Sequence, residues 1–376
     1  MKTFASLFSG FGGADCGAIA AGLQPVWGVE YDAKIAEVGN ANLGNHIKVA
    51  DILDCNPRDF ERVDVLHASP PCPNFSVAKA GGVETAHDLA MASKVAEFVT
   101  TLQPEIFTLE NVPAYRKSRS WHIINEALND AGYWLNIEIC NSADYGVPQT
   151  RKRMIVRAIK GGFVPYLPQP EPWVGWFSAI EDLMPALPDT QFAAWQLRRL
   201  PEKLRTMLVA QGGYDGTIVS VNDTEPSFTL TANGNQTKLK AVIIDRVNSG
   251  HNKSTTRWDN APVFTITSYD SKHQAPQAFI IDCQNAGNPS PDRERGLTIR
   301  YVGEPCFTLT SSMGVKGPTR AFDGGRVVAM TPHCLARFQS FPDWYQLSGR
   351  KTLDARGIGN AVPPLMMEKI YRGLLR

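Results

Sequence analysis

The run Lys2-Thr-Phe-Ala-Ser-Leu-Phe8 passes without a break into Ser9-Gly-Phe-Gly-Gly13, and this junction limits the possible fold more than any other stretch. An apolar segment of strand length ends in a turn with glycines at 10, 12 and 13, and a helix is predicted from about Ala14. Glycines let the backbone turn tightly and approach a ligand, while a helix N-terminus offers it free amides. A strand, a glycine turn and a helix in that order belong to an α/β architecture with a parallel sheet. A glycine-rich turn alone is a weak functional signal, so the strands beyond it decide the reading.

A second strand, Pro25-Val-Trp-Gly-Val-Glu30, ends in a carboxylate about twenty positions on, the spacing at which an acid holds ribose hydroxyls. A third, His46 to Val49, ends at Asp51-Ile52. Taken singly, Glu30 and Asp51 read as solvated loop carboxylates. Their repeated placement at strand ends favours an adenosine-containing cofactor, and the absence of a GxxxxGK[ST] loop speaks against a nucleoside triphosphate.

The next predicted strand, Val63-Asp-Val-Leu-His-Ala68, runs into Ser69-Pro-Pro-Cys-Pro-Asn-Phe-Ser76. Pro70 and Pro71 stiffen the backbone and present Cys72 at the C-terminal end of a strand, where open α/β sheets bind ligands. A lone cysteine is more often a small buried hydrophobe. Its company argues otherwise. A helix is predicted over 88–101, then a strand over 104–109 with Glu110-Asn111-Val112-Pro113 at its lip, where a glutamate can share a proton with a substrate. A helix (121–132) and a strand (134–140) come next, and the tail Gln149-Thr-Arg-Lys-Arg153 leads into a strand over 154–159. Arg151 and Arg153, two apart, share a face if extended, which suits a phosphate or a polarised carbonyl; the alternative is a solvated edge strand.

The chain has 376 residues and a formal net charge of +1, enough length for one large domain or two ordinary ones. That charge neither advertises nor forbids nucleic-acid binding. Seven cysteines without a CxxC pair argue against a zinc-type site or a disulfide framework, and no metal is expected. The cysteine usage and a start on a strand-like segment instead of a signal peptide point to the cytoplasm. No apolar run reaches membrane-spanning length.

Beyond a proline-rich connection (Pro165, Pro168, Pro170, Pro172) and a predicted helix with Arg198, Arg199, Lys203 and Arg205, a motif repeats. Glu225-Pro-Ser-Phe-Thr-Leu-Thr231, Ala261-Pro-Val-Phe-Thr-Ile-Thr267 and Glu304-Pro-Cys-Phe-Thr-Leu-Thr310 each precede a strand-like run ending near Asp245, Asp282 and Asp323. Polar loops, 232–236 and 284–288 among them, connect these β units with side chains suited to base edges and phosphates.

In this order the motifs resemble the DNA (cytosine-5-)-methyltransferase family. Leu7–Gly13 is similar to its cofactor loop, Pro70-Pro-Cys72 to its nucleophile turn, Glu110-Asn-Val112 to its proton-sharing element and Gln149–Arg153 to its arginine element. Thr331–Pro342 resembles its late helical motif and Gly357–Pro364 its closing one. Pro73 stands where the family usually has glutamine, which is expected to alter a DNA contact and leave the chemistry intact.

The resemblance implies a Rossmann-like methyltransferase sheet with an inserted, smaller, mainly β target-recognition domain. The expected boundaries are 1–189 and 326–376 for the catalytic domain and 190–325 for recognition. It implies S-adenosyl-L-methionine as cofactor, held by Phe8, Gly10, Gly12, Gly13, Glu30, Tyr31, Asp51, Ile52, Pro70, Asn360 and Val362. Cys72 would add to carbon 6 of a flipped cytosine, Glu110 would bond N3 and the amine, Arg151 would contact O2, and Arg153 would orient Cys72. Asn360 is expected in a tight turn, and the loop from Val77 to Ala86 is expected to close over DNA. Double-stranded DNA is the expected partner, with a restriction endonuclease acting separately on the same sequence and the methyltransferase itself monomeric. An RNA cytosine-5 methyltransferase and a non-catalytic DNA-binding homologue are the alternatives.

Overall fold

The first strand-turn-helix unit sets the topology, because a helix returning across a parallel sheet keeps its right hand only by laying each new strand beside the last. Thr3–Leu7 (β1), Gln24–Glu30 (β2) and Ile47–Val49 (β3) pair in parallel, linked by helices Gly13–Ala20 (α1) and Ala33–Leu43 (α2). The chain then crosses back, and Val65–Ala68 (β4) pairs with the other side of β1. Helix Ala86–Leu102 (α3) leads to Ile106–Asn111 (β5), parallel to β4. Helix Arg119–Asp130 (α4), strand Tyr133–Asn141 (β6) and strand Lys152–Lys160 (β7) complete a 7-stranded sheet of order β3-β2-β1-β4-β5-β7-β6. β7 runs antiparallel to both of its neighbours. This computed structural model describes residues 1–71, 84–190, 243–245, 255–257, 279–282, 298–301, 304–306, 320–323 and 326–376.

Every residue of β4 and β5 is buried, which explains why those strands read as continuous runs and not as alternations. Ala5, Leu7, Leu66, Ala68, Phe107 and Leu109 pack on one face with α3 and α4. Phe4, Val65, Ile106 and Ile155 pack on the other with α1 and the last helix, Pro364–Leu374. Local signals fix the helix starts. Thr85 and Asp88 form a capping box on α3, the Asp32 side chain caps α2, and Ser118 caps α4. Asp64 holds the start of β1, accepting from the Thr3 amide at 2.6 Å and its hydroxyl at 2.8 Å.

The chain divides into two compact units. The first comprises Met1–Ile180, Gly303–Val315 and Thr331–Arg376; the second, Glu181–Val302 and Lys316–Met330. Three helices after the second unit belong to the first: Pro332–Phe338 (α5), Lys351–Asn360 (α6) and Pro364–Leu374 (α7). In the second unit Ile243–Asp245 (β8) pairs with Thr255–Arg257 (β9). Phe279–Asp282 (β10), Thr298–Tyr301 (β11), Arg320–Asp323 (β12) and Arg326–Ala329 (β13) form a 4-stranded antiparallel sheet of order β11-β10-β12-β13. The strand-like runs expected before Asp245, Asp282 and Asp323 are strands. Most of the three Phe-Thr repeats, the basic segment 198–205 and the loops 232–236 and 284–288 lie outside the described residues. Glu304–Cys306, read with the third repeat, hydrogen-bonds within the first unit, where the Cys306 amide donates to Pro148 O at 2.8 Å. Among the described residues no helix is long and apolar enough to cross a membrane.

Candidate active site

The strand order reverses between β1 and β4, so the loops leaving those two strands flank one crevice at the carboxyl edge of the sheet. The loop after β1 is the glycine turn, and the loop after β4 is Ser69–Pro71, which leads to Cys72. Cys72 itself and residues 73–83, most of the 77–86 loop, lie outside the described residues.

The glycine turn is conformationally demanding. Phe8 has φ 61°, Gly10 58° and Gly12 71°. A left-handed phenylalanine is an outlier that persists only when its surroundings hold it. Here the Ser69 hydroxyl donates to Phe8 O at 3.2 Å, and the Ser9 amide donates to Val29 O at 2.9 Å. Phe8 therefore ties the two loops of the crevice together. A Cβ on Gly10 would meet nothing within 4 Å, so this turn faces open space. One on Gly13 would fall on the Val362 carbonyl oxygen, so this glycine serves close packing against the end of the chain.

Glu30 closes the same corner. Its Oε2 accepts from the Gly10 amide and its Oε1 from the Asp32 amide, both at 2.9 Å. Tyr31, beside it, is 75% exposed. Asp51 is half-buried and caps a short 3-10 turn, accepting from the Leu53 amide at 2.9 Å, and Ile52 is buried within that turn. A carboxylate fixed by backbone amides, an exposed aromatic ring and an open glycine turn fit an adenosine-containing ligand. Among the described residues no cluster of His, Cys, Asp or Glu suits a metal ion.

The second loop is anchored from β5. Pro70 is buried, and its carbonyl accepts from the Asn111 amide side chain at 3.0 Å. The sequence had placed Glu110 at the lip of this strand; the strand runs on to Asn111, so Glu110 lies within it and is 6% exposed. β7 is antiparallel, so its first residues reach the same edge, with Glu110 opposite Ile155. Arg153, two residues before Ile155, shares the face of Glu110. Its Nε lies 2.8 Å from Glu110 Oε1. This is an ion pair without hydrogen-bond alignment, for the buried Oε1 has no hydrogen-bond partner. An acid held beside a guanidinium, with an acceptor oxygen that makes no hydrogen bond, is arranged to receive a donor from a substrate.

Arg151 is 3% exposed, and its Nη1 donates to Gly359 O at 3.0 Å. The structure thus brings Arg153 against Glu110. Gln149 Nε2 donates to Gln339 Oε1 at 2.5 Å, and Gln339 Nε2 donates to Ala361 O. Leu335, Phe338 and Gln339 of the late helical motif are all buried. Asn360 departs from expectation: it is the last residue of α6, exposed, and not part of a tight turn. The helix runs further because its Gly357 and Gly359 are buried against neighbours and Ala361, extended, ends it. Val362 is buried against α1. Sequence reasoning passed over Asn111, Gln149 and Gln339 as side chains that fix the site. Their signal was membership of the motifs that carry Glu110, Arg151 and Phe338.

Among curated relatives, the type II methyltransferase M.NgoFVII of Neisseria gonorrhoeae is 25% identical over 98% of this chain and 85% of its own. M.NgoBI, from the same organism, is 33% identical over 44% of this chain; that match spans 52% of M.NgoBI, about half its length. Among solved structures, the Entamoeba histolytica methyltransferase EhMeth matches with a TM-score of 0.59 and 13% identity, over 100% of this chain and 98% of that one. Schizosaccharomyces pombe Dnmt2 matches with a TM-score of 0.55, 14% identity and the same coverage. At those identities the structures speak to the fold alone, which they share. The model of one family, the C-5 cytosine-specific DNA methylases, matches residues 2–376. The chain therefore belongs to that family, the DNA (cytosine-5-)-methyltransferases, which take their methyl group from S-adenosylmethionine.

Proposed function

We propose that this enzyme methylates carbon 5 of a cytosine swung out of double-stranded DNA at a specific sequence, through a covalent adduct with Cys72. A base inside a duplex is out of reach, so the nucleotide must leave the stack before chemistry. Carbon 5 of cytosine is a poor nucleophile. Addition of the Cys72 thiolate to carbon 6 breaks the 5,6 double bond and places its electron pair on carbon 5. S-adenosylmethionine supplies an electrophilic sulfonium methyl when bound. Loss of the carbon-5 proton then restores the double bond and expels the thiolate.

The observation that carries this reading is the Glu110–Arg153 pair, whose Oε1 makes no hydrogen bond, beside the Pro70 carbonyl held by Asn111, two residues before Cys72 in the sequence. Glu110 would bond the exocyclic amine and N3 as the ring gains a proton, and Arg153 would hold the carboxylate and orient Cys72. Arg151, whose Nη1 donates to Gly359 O, would contact the base oxygen O2. Phe8, Gly10, Gly12, Gly13, Glu30, Tyr31, Asp51, Ile52 and Pro70 would hold the donor, with Val362 behind the turn. Asn360, exposed at the end of α6, would reach it as well. The second unit would read the target sequence. The relatives' type II names suit the modification half of a restriction system, with a separate nuclease, in the cytoplasm, and we take the enzyme to be a monomer.

Transfer of tritiated methyl from the donor to duplex DNA and to RNA tests the reading. Labelled DNA is expected from the natural chain. The Cys72→Ala variant should transfer none and still bind DNA. Label in RNA alone, or equal transfer by the alanine variant, would overturn it.

A further inference from the structure

Beneath the glycine turn lies a buried polar group that the reaction does not use. Asp15, in the first turn of α1, is 0% exposed, and its Oδ1 accepts from the Ser6 hydroxyl at 3.0 Å. The same oxygen lies 2.8 Å from His46 Nε2, whose ring is 6% exposed. His46 Nδ1 faces Leu43 O at 3.2 Å. A carbonyl and a carboxylate are both acceptors, so each ring nitrogen must carry a proton for both bonds to exist. Ser6 Oγ and Ser9 Oγ lie 2.7 Å apart, which passes the network into the turn itself. Gly28 leaves room for it, since a Cβ there would sit 2.5 Å from Ser9 Oγ and 3.0 Å from Ser6 Oγ.

We propose that Asp15 and protonated His46 are positioning residues that hold the Ser9–Gly13 turn in its donor-binding shape, so that loss of the His46 proton slackens the turn and weakens the donor. This rests on reading that turn as the donor loop. Asp15 has one oxygen engaged twice, while its buried Oδ2 has no hydrogen-bond partner. A neutral imidazole keeps one N–H and can serve only one of the two acceptors, Asp15 or Leu43 O, and in either case the buried carboxylate loses its counter-charge, which pulls its surroundings apart or draws in water.

The other titratable groups around Asp15 are Cys16 on α1, His67 on β4, Tyr345 before α6 and Tyr371 on α7. Burial pushes the Cys16 thiol and both tyrosines up, and pushes His67 down to about 4. For His46, burial pulls the value down, but the hydrogen bond and charge of Asp15 and the Leu43 carbonyl outweigh it and raise it above 6.5. A raised histidine contributes fully below its ordinary value and is lost as pH rises through the folded one. Within this cluster, His46 is thus the group whose charge is lost as pH rises above the ordinary histidine value.

The test is calorimetric binding of S-adenosylmethionine to the full chain between about pH 6 and pH 9.5, with methyl transfer measured in parallel. The natural protein should bind with a constant Kd at the acid end and weaken by about tenfold towards the alkaline end. His46→Gln should bind about tenfold more weakly at the acid end, show no alkaline step, and keep kcat at saturating donor within about twofold. A His46→Gln profile that overlays the natural one overturns the proposal. Should His46→Gln fail to fold, Ser6→Ala decides: a weaker donor Kd with the alkaline step retained supports the clamp, and unchanged binding refutes it. If the natural chain binds no S-adenosylmethionine at any pH, the donor-loop reading fails instead.

Discussion

Gly357→Ala should damage an enzyme whose reacting groups it never touches. A Cβ on Gly357 would lie within 2.5 Å of three ring carbons of Phe11, where carbon atoms normally rest about 3.5–4.0 Å apart. The ring has nowhere to go. Phe11 is 0% exposed, its carbonyl accepts from the Tyr345 hydroxyl at 2.5 Å, and it stands between the left-handed residues Gly10 and Gly12. Two effects oppose each other. Alanine in the interior of α6 gains about 1 kcal/mol over glycine in helix propensity. Overpacking a close-packed core costs about 1–3 kcal/mol, and an overlap of about 1 Å with an immovable ring belongs at the upper end. The clash wins, leaving a net loss of about 2 kcal/mol. Because Phe11 can yield only by moving the glycine turn, the donor Kd should weaken by more than about tenfold at the same time. Urea unfolding and calorimetry read the two effects. Phe11→Leu provides the internal control: it should cost stability alone but relieve Gly357→Ala, with a coupling of at least about 1 kcal/mol. Stability of Gly357→Ala within about 0.5 kcal/mol of the natural chain, or a loss independent of the residue at 11, would refute the steric argument.

Glu110→Gln keeps the shape of the pocket but not the charge, and should lower methyl transfer at least about a hundredfold while donor binding stays intact; tritium transfer and calorimetry separate the two. Glu30→Gln leaves only one oxygen for the amides of Gly10 and Asp32, so the donor KM should rise about tenfold with little change in kcat. Glu84 accepts from the Arg119 amide at 2.8 Å, and from the Ser120 amide and hydroxyl at 2.6 Å. Burial raises its carboxyl, but those bonds outweigh it and hold it below the ordinary 4.5. A lowered carboxyl contributes above that value and loses its contribution as pH falls through the folded one. Glu84→Gln should therefore cost about 1–2 kcal/mol in urea unfolding at pH 7, with the gap to the natural chain closing towards about pH 3.

Most of the sheet was legible because its strands are short apolar runs bounded by glycine, proline or acid. β4 and β5, buried on both faces, announced themselves by lacking any polar alternation. The glycine turn was legible for a different reason: Gly10 and Gly12 adopt a backbone that other residues resist. Phe8 adopts it too, and nothing in the sequence says so, since its left-handed φ is imposed by Ser69 and Val29 from other strands. The arginine element shows the same boundary. Two arginines two apart suggested a shared face by strand periodicity, while β7 begins at Lys152, so Arg151 stands just before the regular strand, where its Nη1 donates to Gly359 O. Periodicity predicts directions only within an element. Asn360 was misplaced by the reverse error, because glycines that look like turn formers are here the flat side of a buried helix.

These long-range ties explain why the chain must return to its first unit after leaving it. The arginine element alone is a strand start with a buried guanidinium and a buried amide, each of which needs an acceptor. Both acceptors come from about two hundred residues later: Gly359 O for Arg151 and the Gln339 side chain for Gln149, the latter itself held on Ala361 O. The same closing segment puts Val362 behind Gly13, Gly357 behind Phe11 and the Arg356 guanidinium on Asp32, which caps α2 beside Glu30. The last helices are therefore the back wall of both halves of the crevice, the glycine turn on one side and the strand that carries Arg153 on the other. Each half loses a packing surface or a hydrogen-bond acceptor without them. The glycine turn and the Glu110–Arg153 pair share one wall, and this is how residues distant in sequence come to keep a fixed separation across the crevice.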